Sequence, residues 1–208
     1  MPADIWHEAY DADTGMATLP VFLEHVGHAM RRLSRGPLTL AVLSTHADQL
    51  VPQHEGPRTE AERALLVQTA RRLRGSIRPG DVVARIEDSS FAVLCEDLAS
   101  YDHAVGVALR LLDDLDAPLE VEGEPVHVHL RFGVAFPVAQ EQSPRRLLER
   151  SLEAMRAARV HPSRRYDVIL GSATPDADAD APPENIDLDA LERRLRPTDG
   201  HLHPGTPC

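Results

Sequence analysis

Two short stretches of this 208-residue chain hold side chains whose types and spacing could do chemistry. The first is Arg78-Pro79-Gly80-Asp81, in which the Pro-Gly pair sets the dihedral angles of a chain reversal. Arginine offers a planar fork of donors that fits a phosphate or a base edge, and aspartate accepts hydrogen bonds. The residues predict either a small polar binding site or a turn that binds nothing.

The second stretch, Glu87-Asp88-Ser89-Ser90, joins two apolar segments and is predicted to be the tip of a β-hairpin. Magnesium prefers oxygen ligands, chiefly carboxylates, and a neutral serine hydroxyl supplies no charge to hold it beside a phosphate. Among the eleven histidines, His127 and His129 alternate along a predicted strand, but no third ligand is evident. We therefore expect no metal site.

Composition argues against several classes of protein. The net charge of −11 argues against non-specific binding to nucleic acid or to acidic membrane surfaces. No run approaches the roughly 18 apolar residues of a membrane span, and residues 1–10 lack a signal-peptide pattern. The two cysteines, Cys95 in an apolar run and Cys208 at the end, do not form a disulfide framework. We expect a cytoplasmic protein with no cofactor, nucleic-acid partner or membrane partner.

Apolar periodicity predicts an α/β domain with a central mixed sheet of about five strands flanked by helices. Residues 44–58 are predicted to be a loop, because their pattern dissolves into His, Pro, Gly and Gln. The predicted helices are 17–34, 59–75, 99–115 and 143–158. The predicted strands are 38–43, the hairpin pair 82–86 and 91–95, the pair 118–122 and 126–136, and 166–170.

The composition changes after residue 170. Residues 171–208 are acidic and contain proline, which is typical of a flexible tail, with one short amphipathic helix at 186–195. Residues 1–10 form a short N-terminal extension, so the predicted domain is 11–170. The tail helix is a candidate for docking on a partner protein or on a second copy of the chain.

Several motifs occur in a characteristic order within residues 11–170. Asp11-x-x-Thr14-Gly15-Met16 opens the first helix, and the hairpin is flanked by residues 78–85 and by Phe91-Ala92-Val93-Leu94. Phe132-Gly133-Val134-Ala135 follows in a later strand. Together they resemble a GGDEF domain, the diguanylate cyclase fold. The resemblance implies that fold and a bacterial signalling protein.

The resemblance also implies that the catalytic positions have been replaced. Diguanylate cyclases join two GTP molecules with two metal ions held by carboxylates. The family's Gly-Gly-Asp-Glu-Phe hairpin corresponds here to Glu87-Asp88-Ser89-Ser90-Phe91, and its strand-end metal aspartate to His46 or Ser44, depending on the alignment. Three further family positions, the guanine-reading Asn, an Asp and a phosphate-binding Lys, correspond to His54, Arg63 and Arg159. We expect no catalytic residues and no cyclic di-GMP synthesis.

One ligand site of the family is retained in this pattern. Its R-x-x-D turn, where cyclic di-GMP inhibits synthesis, corresponds to Arg78 and Asp81, and a further arginine of the next helix to Arg110. The leading hypothesis is a non-catalytic cyclic di-GMP receptor that regulates a protein partner. The alternative is a nucleotide-independent interaction scaffold, alone or as a homodimer. A GTP-sensing or weakly catalytic domain is disfavoured by Ser89, Ser90 and His54.

Overall fold

The computed structural model describes residues 9–33, 39–138, 143–160 and 166–169. Four helices within these ranges lie close to their predicted positions, and the capping box of Thr59 and Glu62 begins the second of them. The helices are α1 (Leu19–Leu33), α2 (Glu60–Gly75), α3 (Tyr101–Asp114) and α4 (Pro144–Val160). The strands are β1 (Thr39–Ala47), β2 (Val82–Glu87), β3 (Ser90–Leu98), β4 (Leu119–Val121), β5 (Glu124–Val126), β6 (Leu130–Ala135) and β7 (Tyr166–Ile169).

Five of the strands form one mixed sheet in the order β2-β3-β1-β6-β7. All neighbouring pairs are antiparallel except β6 and β7, which are parallel. The predicted α/β domain with a mixed sheet of about five strands is therefore confirmed.

The sheet is covered on both faces, and alternate residues of β1 point into two different apolar clusters. Ala41 and Leu43 face the cluster to which α2 and α3 contribute, whereas Leu40 and Val42 face the cluster beneath α1 and α4. A central strand that is buried on both faces is expected to be apolar without interruption, and residues 40–43 of β1 are all apolar.

The predicted loop at 44–58 is wrong at its start, because β1 continues to Ala47. Ser44 and Thr45 are fully buried between β3 and β6, so ladder hydrogen bonds on both sides keep this polar segment extended. The Ser44 hydroxyl also lies 2.5 Å from the hydroxyl of Ser151 on α4. The Ser44 hydroxyl thus has an internal partner, whereas the buried Thr45 hydroxyl has none among the described residues, and the backbone ladder holds Thr45 in the strand.

The predicted strand pair, 118–122 and 126–136 with a turn at 123–125, is correct in its first strand and wrong in its pairing, because the predicted second strand is divided into β5 and β6. Strands β4 and β5 form a separate two-stranded hairpin, and only β6 joins the main sheet. Glu122 and Gly123 both adopt positive φ in the tight turn between them, at 53° and 87°. Gln68 on α2 donates to the carbonyl of Glu120 at 2.7 Å, which fixes this small hairpin to the helix rather than to the sheet.

Gly133 in β6 sets the position of α4. A Cβ atom on this residue would lie 2.1 Å from the backbone nitrogen of Met155 and 2.1 Å from the carbonyl oxygen of Ser151. The helix backbone therefore packs directly on the strand, in contact that only glycine allows.

Some predictions fall outside the described residues, among them the helix at 186–195 and the composition-based tail. The domain limits at 11 and 170 likewise stay predictions. Among the helices in the described ranges, none combines the length and the apolar character that crossing a membrane requires.

Candidate ligand cleft and signature hairpin

The Arg78–Asp81 segment forms the tight turn that its sequence predicts. The amide of Asp81 donates to the carbonyl of Arg78 at 3.1 Å, and Gly80 has a φ of 104°. The turn also joins the two charged side chains, since Arg78 Nε donates to Asp81 Oδ1 at 3.2 Å. One turn thus holds a guanidinium and a carboxylate in a defined mutual geometry.

The Asp81 carboxylate is unusual because it is buried and only half used. Its side chain is 1% exposed, and its second oxygen, Oδ2, is buried without a hydrogen-bond partner among the residues that the structure describes. A buried, unpaired acceptor on a carboxylate costs about 1–3 kcal/mol or more. A buried oxygen of this kind is suited to accept a hydrogen bond from a ligand.

Arg110 approaches the same region from α3. Its Nε donates to the carbonyl of Ser76, directly after α2, at 3.1 Å. Burial raises the pKa of the Cys95 thiol, the charge of Asp81 raises it further, and the charges of Arg78 and Arg110 act in the opposite direction. The charges of the three predicted site residues therefore all act on Cys95, although Arg110 is tied to the helix end.

An open cleft of about 310 Å³ lies against the turn. It is lined by Arg32, Arg78, Pro79, Gly80, Asp81, Glu96 and Asp97, and Arg110 is not among these residues. Arg32 on α1 forms an ion pair with Glu96 and lies 3.8 Å from Asp97 Oδ1. Arg78 donates to the backbone carbonyl of Glu96.

A β-bulge near the end of β3 shapes this wall of the cleft. Thr39 pairs with Leu98 and Ala41 with Cys95, so β3 holds one extra residue there, and Asp97 has a φ of 49°. A bulge interrupts the alternation of side chains and re-aims them. It is the feature that lets Glu96 and Asp97 both reach Arg32, and strand periodicity alone gives no signal for it.

At the other end of the same strands, the β2–β3 hairpin turns at Asp88 and Ser89. Ser89 and Ser90 are buried, and the carbonyl of Ser89 accepts a hydrogen bond from the amide of Ala47 at 3.0 Å. The Ser90 hydroxyl donates to Glu87 Oε2 at 3.2 Å. The two hydroxyls are enclosed by the sheet.

His46, rather than Ser44, lies beside this hairpin. His46 pairs with Ser90 across β1 and β3, and its Nδ1 is 3.0 Å from the Ser90 hydroxyl. On its other side, Nε2 is 3.4 Å from Asp48 Oδ1. Ser44 contacts α4 instead, so the ungapped alignment with His46 at the end of β1 agrees with the structure.

Arg85 connects the hairpin to the start of the domain. Its guanidinium, with a side chain only 9% exposed, lies 2.9 Å from Asp11 Oδ2 and 3.5 Å from Asp13 Oδ2. It also donates to the carbonyl of Asp88 at 3.0 Å. Burial opposes ionisation of Asp11, but hydrogen bonds from Thr14 and the charge of Arg85 outweigh it and lower the pKa of Asp11.

Comparison with known families assigns the fold. The family model described as "Diguanylate cyclase, GGDEF domain" matches residues 8–165. The chain belongs to the GGDEF domain family. It is 30% identical over 159 residues to the diguanylate cyclase TpbB of Pseudomonas aeruginosa, which covers 76% of this chain and 37% of the relative. The chain thus spans little more than a third of the length of the curated relatives it matches.

Solved GGDEF structures superpose on this chain. The GGDEF domain of P. aeruginosa TpbB (YfiN) is 28% identical with a TM-score of 0.69, covering 78% of this chain and 94% of that one. The GGDEF domain of DgcB from Caulobacter crescentus, solved with c-di-GMP, has a TM-score of 0.68 at 15% identity. It covers 77% of this chain and 95% of its own, and at that identity it shows the fold alone.

Other residues singled out in this GGDEF domain are engaged in pairs. His54 Nε2 lies 3.1 Å from Glu62 Oε2, and a hydrogen bond to the carbonyl of Glu55, followed by the contact with Glu62, raises the pKa of His54. Arg63, at the start of α2, forms an ion pair with Asp13. Positions that the family resemblance linked to GTP therefore make internal contacts.

The remaining candidates from the sequence are His127 and His129 for a metal ion and Arg159 for a phosphate. The rings of His127 and His129 stack with centroids 6.3 Å apart. In the part of the chain that the structure describes, no group of three or more His, Cys, Asp or Glu side chains is arranged to hold a metal ion. The side chain of Arg159 lies outside what is described.

Proposed function

We propose that this GGDEF domain is a non-catalytic receptor that binds cyclic di-GMP at Arg78, Asp81 and Arg110 and regulates a protein partner. The observation that carries the proposal is the unpaired Oδ2 of Asp81, buried at the edge of an open cleft beside Arg78. An acceptor in that position is costly unless a ligand donates to it.

Guanine fits the groups that the cleft presents. Its N1 and N2 hydrogens are donors that complement the free oxygen of Asp81, and its O6 and N7 are acceptors that suit an arginine fork. Arg78 is half exposed and is held at the turn by Asp81 and by the carbonyl of Glu96. These two contacts use Nε and Nη2, so we expect Nη1 to be the first donor that Arg78 offers to the guanine.

Arg110 is the least direct of the three residues. Its Nε is bonded to the carbonyl of Ser76 and it does not line the cleft. Its charge nevertheless acts on Cys95, directly beneath the turn. We expect it to contribute through its positive charge, or after leaving Ser76, and so to matter less than Arg78.

The absence of catalysis is supported by the chemistry of the hairpin. Two metal ions at a triphosphate need carboxylate ligands, and the positions that correspond to the family's metal-binding acids hold Ser89 in the hairpin and His46 in β1. Ser90 and His46 satisfy each other at 3.0 Å. The exposed Asp88 carboxylate lies 3.6 Å from Arg85, whose positive charge opposes binding of a cation there.

Binding is tested by titrating cyclic di-GMP into the purified protein by calorimetry. We expect micromolar or tighter binding that is reduced at least 100-fold in Arg78→Ala. Arg145→Ala, which removes an exposed arginine from α4, is the matched control and should bind as the wild type does. A titration without heat and without a thermal shift would contradict the receptor proposal and leave the interaction scaffold.

Catalysis is tested separately, by incubating the protein with GTP and Mg²⁺ and measuring cyclic di-GMP by chromatography. We expect no product from the wild type. We also expect none when residues 87–90 are changed to Gly-Gly-Asp-Glu, because His46 still stands at the end of β1. Clear product from the wild type would refute the non-catalytic half of the proposal.

A further inference from the structure

The charges that line the cleft do not suit a bare anion. Three carboxylates, those of Asp81, Glu96 and Asp97, face two guanidiniums, those of Arg32 and Arg78. At such short range, a carboxylate repels a phosphate about as strongly as a guanidinium attracts it. A wall of this kind favours hydrogen-bond donors over phosphate.

Glu96 is the residue that contacts both arginines. Its backbone carbonyl accepts a hydrogen bond from Arg78, and its carboxylate forms an ion pair with Arg32. The Glu96 side chain is 16% exposed and that of Arg32 is 59% exposed, so the pair lies at the mouth of the cleft with the carboxylate on the inner side. The bulge at Asp97 holds Glu96 in this position.

We propose that Glu96 is a selectivity residue: by holding Arg32 in an ion pair, it weakens the binding of ligands that offer only phosphate and favours a ligand that presents a donor edge to Asp81. The inference deepens the proposed function and rests on it for the identity of the natural ligand. A phosphate and the Glu96 carboxylate compete for the guanidinium of Arg32, because both are anions that bind the same group.

Replacing Glu96 by glutamine isolates this charge. The substitution keeps the size of the side chain and leaves the backbone carbonyl that binds Arg78, but it removes the ion pair between Arg32 and Glu96. Asp97 Oδ1, 3.8 Å away, is then the carboxylate that lies near Arg32. Because the site is partly exposed and screened by salt, we expect a moderate gain in phosphate affinity, about threefold to tenfold.

The experiment uses inorganic pyrophosphate, guanosine and cyclic di-GMP as separate probes, measured by calorimetry at two salt concentrations. Glu96→Gln should bind pyrophosphate about threefold to tenfold more tightly than the wild type, with a steeper salt dependence. The double variant Arg32→Gln/Glu96→Gln should lose that gain. Guanosine, which has no phosphate, should bind the wild type and Glu96→Gln equally.

The matched control is Glu153→Gln, which removes one exposed carboxylate from α4 and should leave pyrophosphate affinity unchanged. Thermal unfolding of each variant verifies that the fold is retained. If Glu96→Gln binds pyrophosphate no more tightly than the wild type, or if its gain persists without Arg32, the selectivity role is overturned.

The receptor proposal and the role of Glu96 can fail independently of each other. If the wild type does not bind cyclic di-GMP, the receptor proposal fails, while the pyrophosphate comparison still decides the role of Glu96. If the wild type binds cyclic di-GMP but Glu96→Gln shows no gain for pyrophosphate, the receptor proposal stands and the role of Glu96 is refuted.

Discussion

The β2–β3 strand pair ends in two polar regions that are built in opposite ways. At the hairpin tip, the Ser90 hydroxyl and His46 bind each other, and the Asp88 carbonyl accepts from Arg58 at 2.9 Å and from Arg85. At the other end, roughly 20 Å away along a six-residue strand, Asp81 keeps one buried oxygen unpaired. The Ser90 hydroxyl and the Asp88 carbonyl thus have internal partners at the tip, whereas one oxygen of Asp81 has none at the turn.

This difference is the one expected between a structural polar cluster and the proposed binding site. Buried polar groups in folded proteins nearly always find partners, so the tip follows the general rule and needs no ligand. The turn departs from the rule, and departures of this kind concentrate at functional sites. Within one pair of strands, Ser90 and His46 pair with each other at the tip, and Asp81 keeps an unpaired oxygen at the turn beside the cleft.

Asp81→Asn is expected to have a large effect on cyclic di-GMP binding, second only to that of Arg78→Ala. The substitution removes the negative charge of the side chain. It also allows the amide NH₂ to take the place of the unpaired oxygen, where it would face a donor of the ligand and form no hydrogen bond. We expect cyclic di-GMP affinity to fall about 30-fold to 100-fold, as for the loss of a hydrogen bond to a charged group. Calorimetric titration measures it.

Ser90→Ala at the hairpin tip is the control for Asp81→Asn, and it should leave the dissociation constant unchanged. Equal losses of affinity in the two variants would mean that the two ends of the strand pair do not differ in the way described.

Arg85→Ala tests the tip through stability rather than binding. The change leaves the partly buried Asp11 and Asp13 without their shared cation, and we expect a loss of about 2 kcal/mol in the free energy of unfolding. Arg78→Ala removes the partner of the Asp81 carboxylate, whose side chain is 1% exposed, so we expect a loss of about 1–2 kcal/mol there as well. Urea denaturation monitored by circular dichroism measures both.

The Arg85 effect also depends on pH in a defined direction. The pKa of Asp11 is lowered in the folded state, so its ion pair stabilises the protein above the ordinary carboxyl value of about 4 and is lost as the pH falls through the lowered value. The gap in stability between the wild type and Arg85→Ala should narrow in acid. A constant gap from pH 7 to pH 3 would contradict the Asp11 assignment.

His54→Gln is expected to have the smallest effect. The pKa of His54 is raised by its contacts with Glu55 and Glu62, so its contribution is complete below the ordinary value of about 6.5 and is lost as the pH rises through the raised value. The melting temperatures of the wild type and the variant should differ slightly at pH 6 and converge by pH 9. A difference that grows with pH would show that the pair does not act as described.

Much of the fold follows from local sequence patterns. Helical and strand periodicity predicts the four helices and the β2–β3 hairpin, and Pro79-Gly80 predicts the turn, because each depends on residues that are close in the chain. The same patterns fail at Ser44 and Thr45, whose extended conformation depends on ladder partners in β3 and β6.

The candidate site likewise combines residues placed by local sequence with residues placed by the tertiary structure. The sequence alone determined the positions of Arg78 and Asp81, since three residues of turn place them together. Only the tertiary structure brought in Arg32, which lies 64 residues from Glu96, and placed His46 rather than Ser44 beside the hairpin. Only the tertiary structure, too, buried Asp81 and left its second oxygen unpaired, because burial and pairing depend on what distant segments supply.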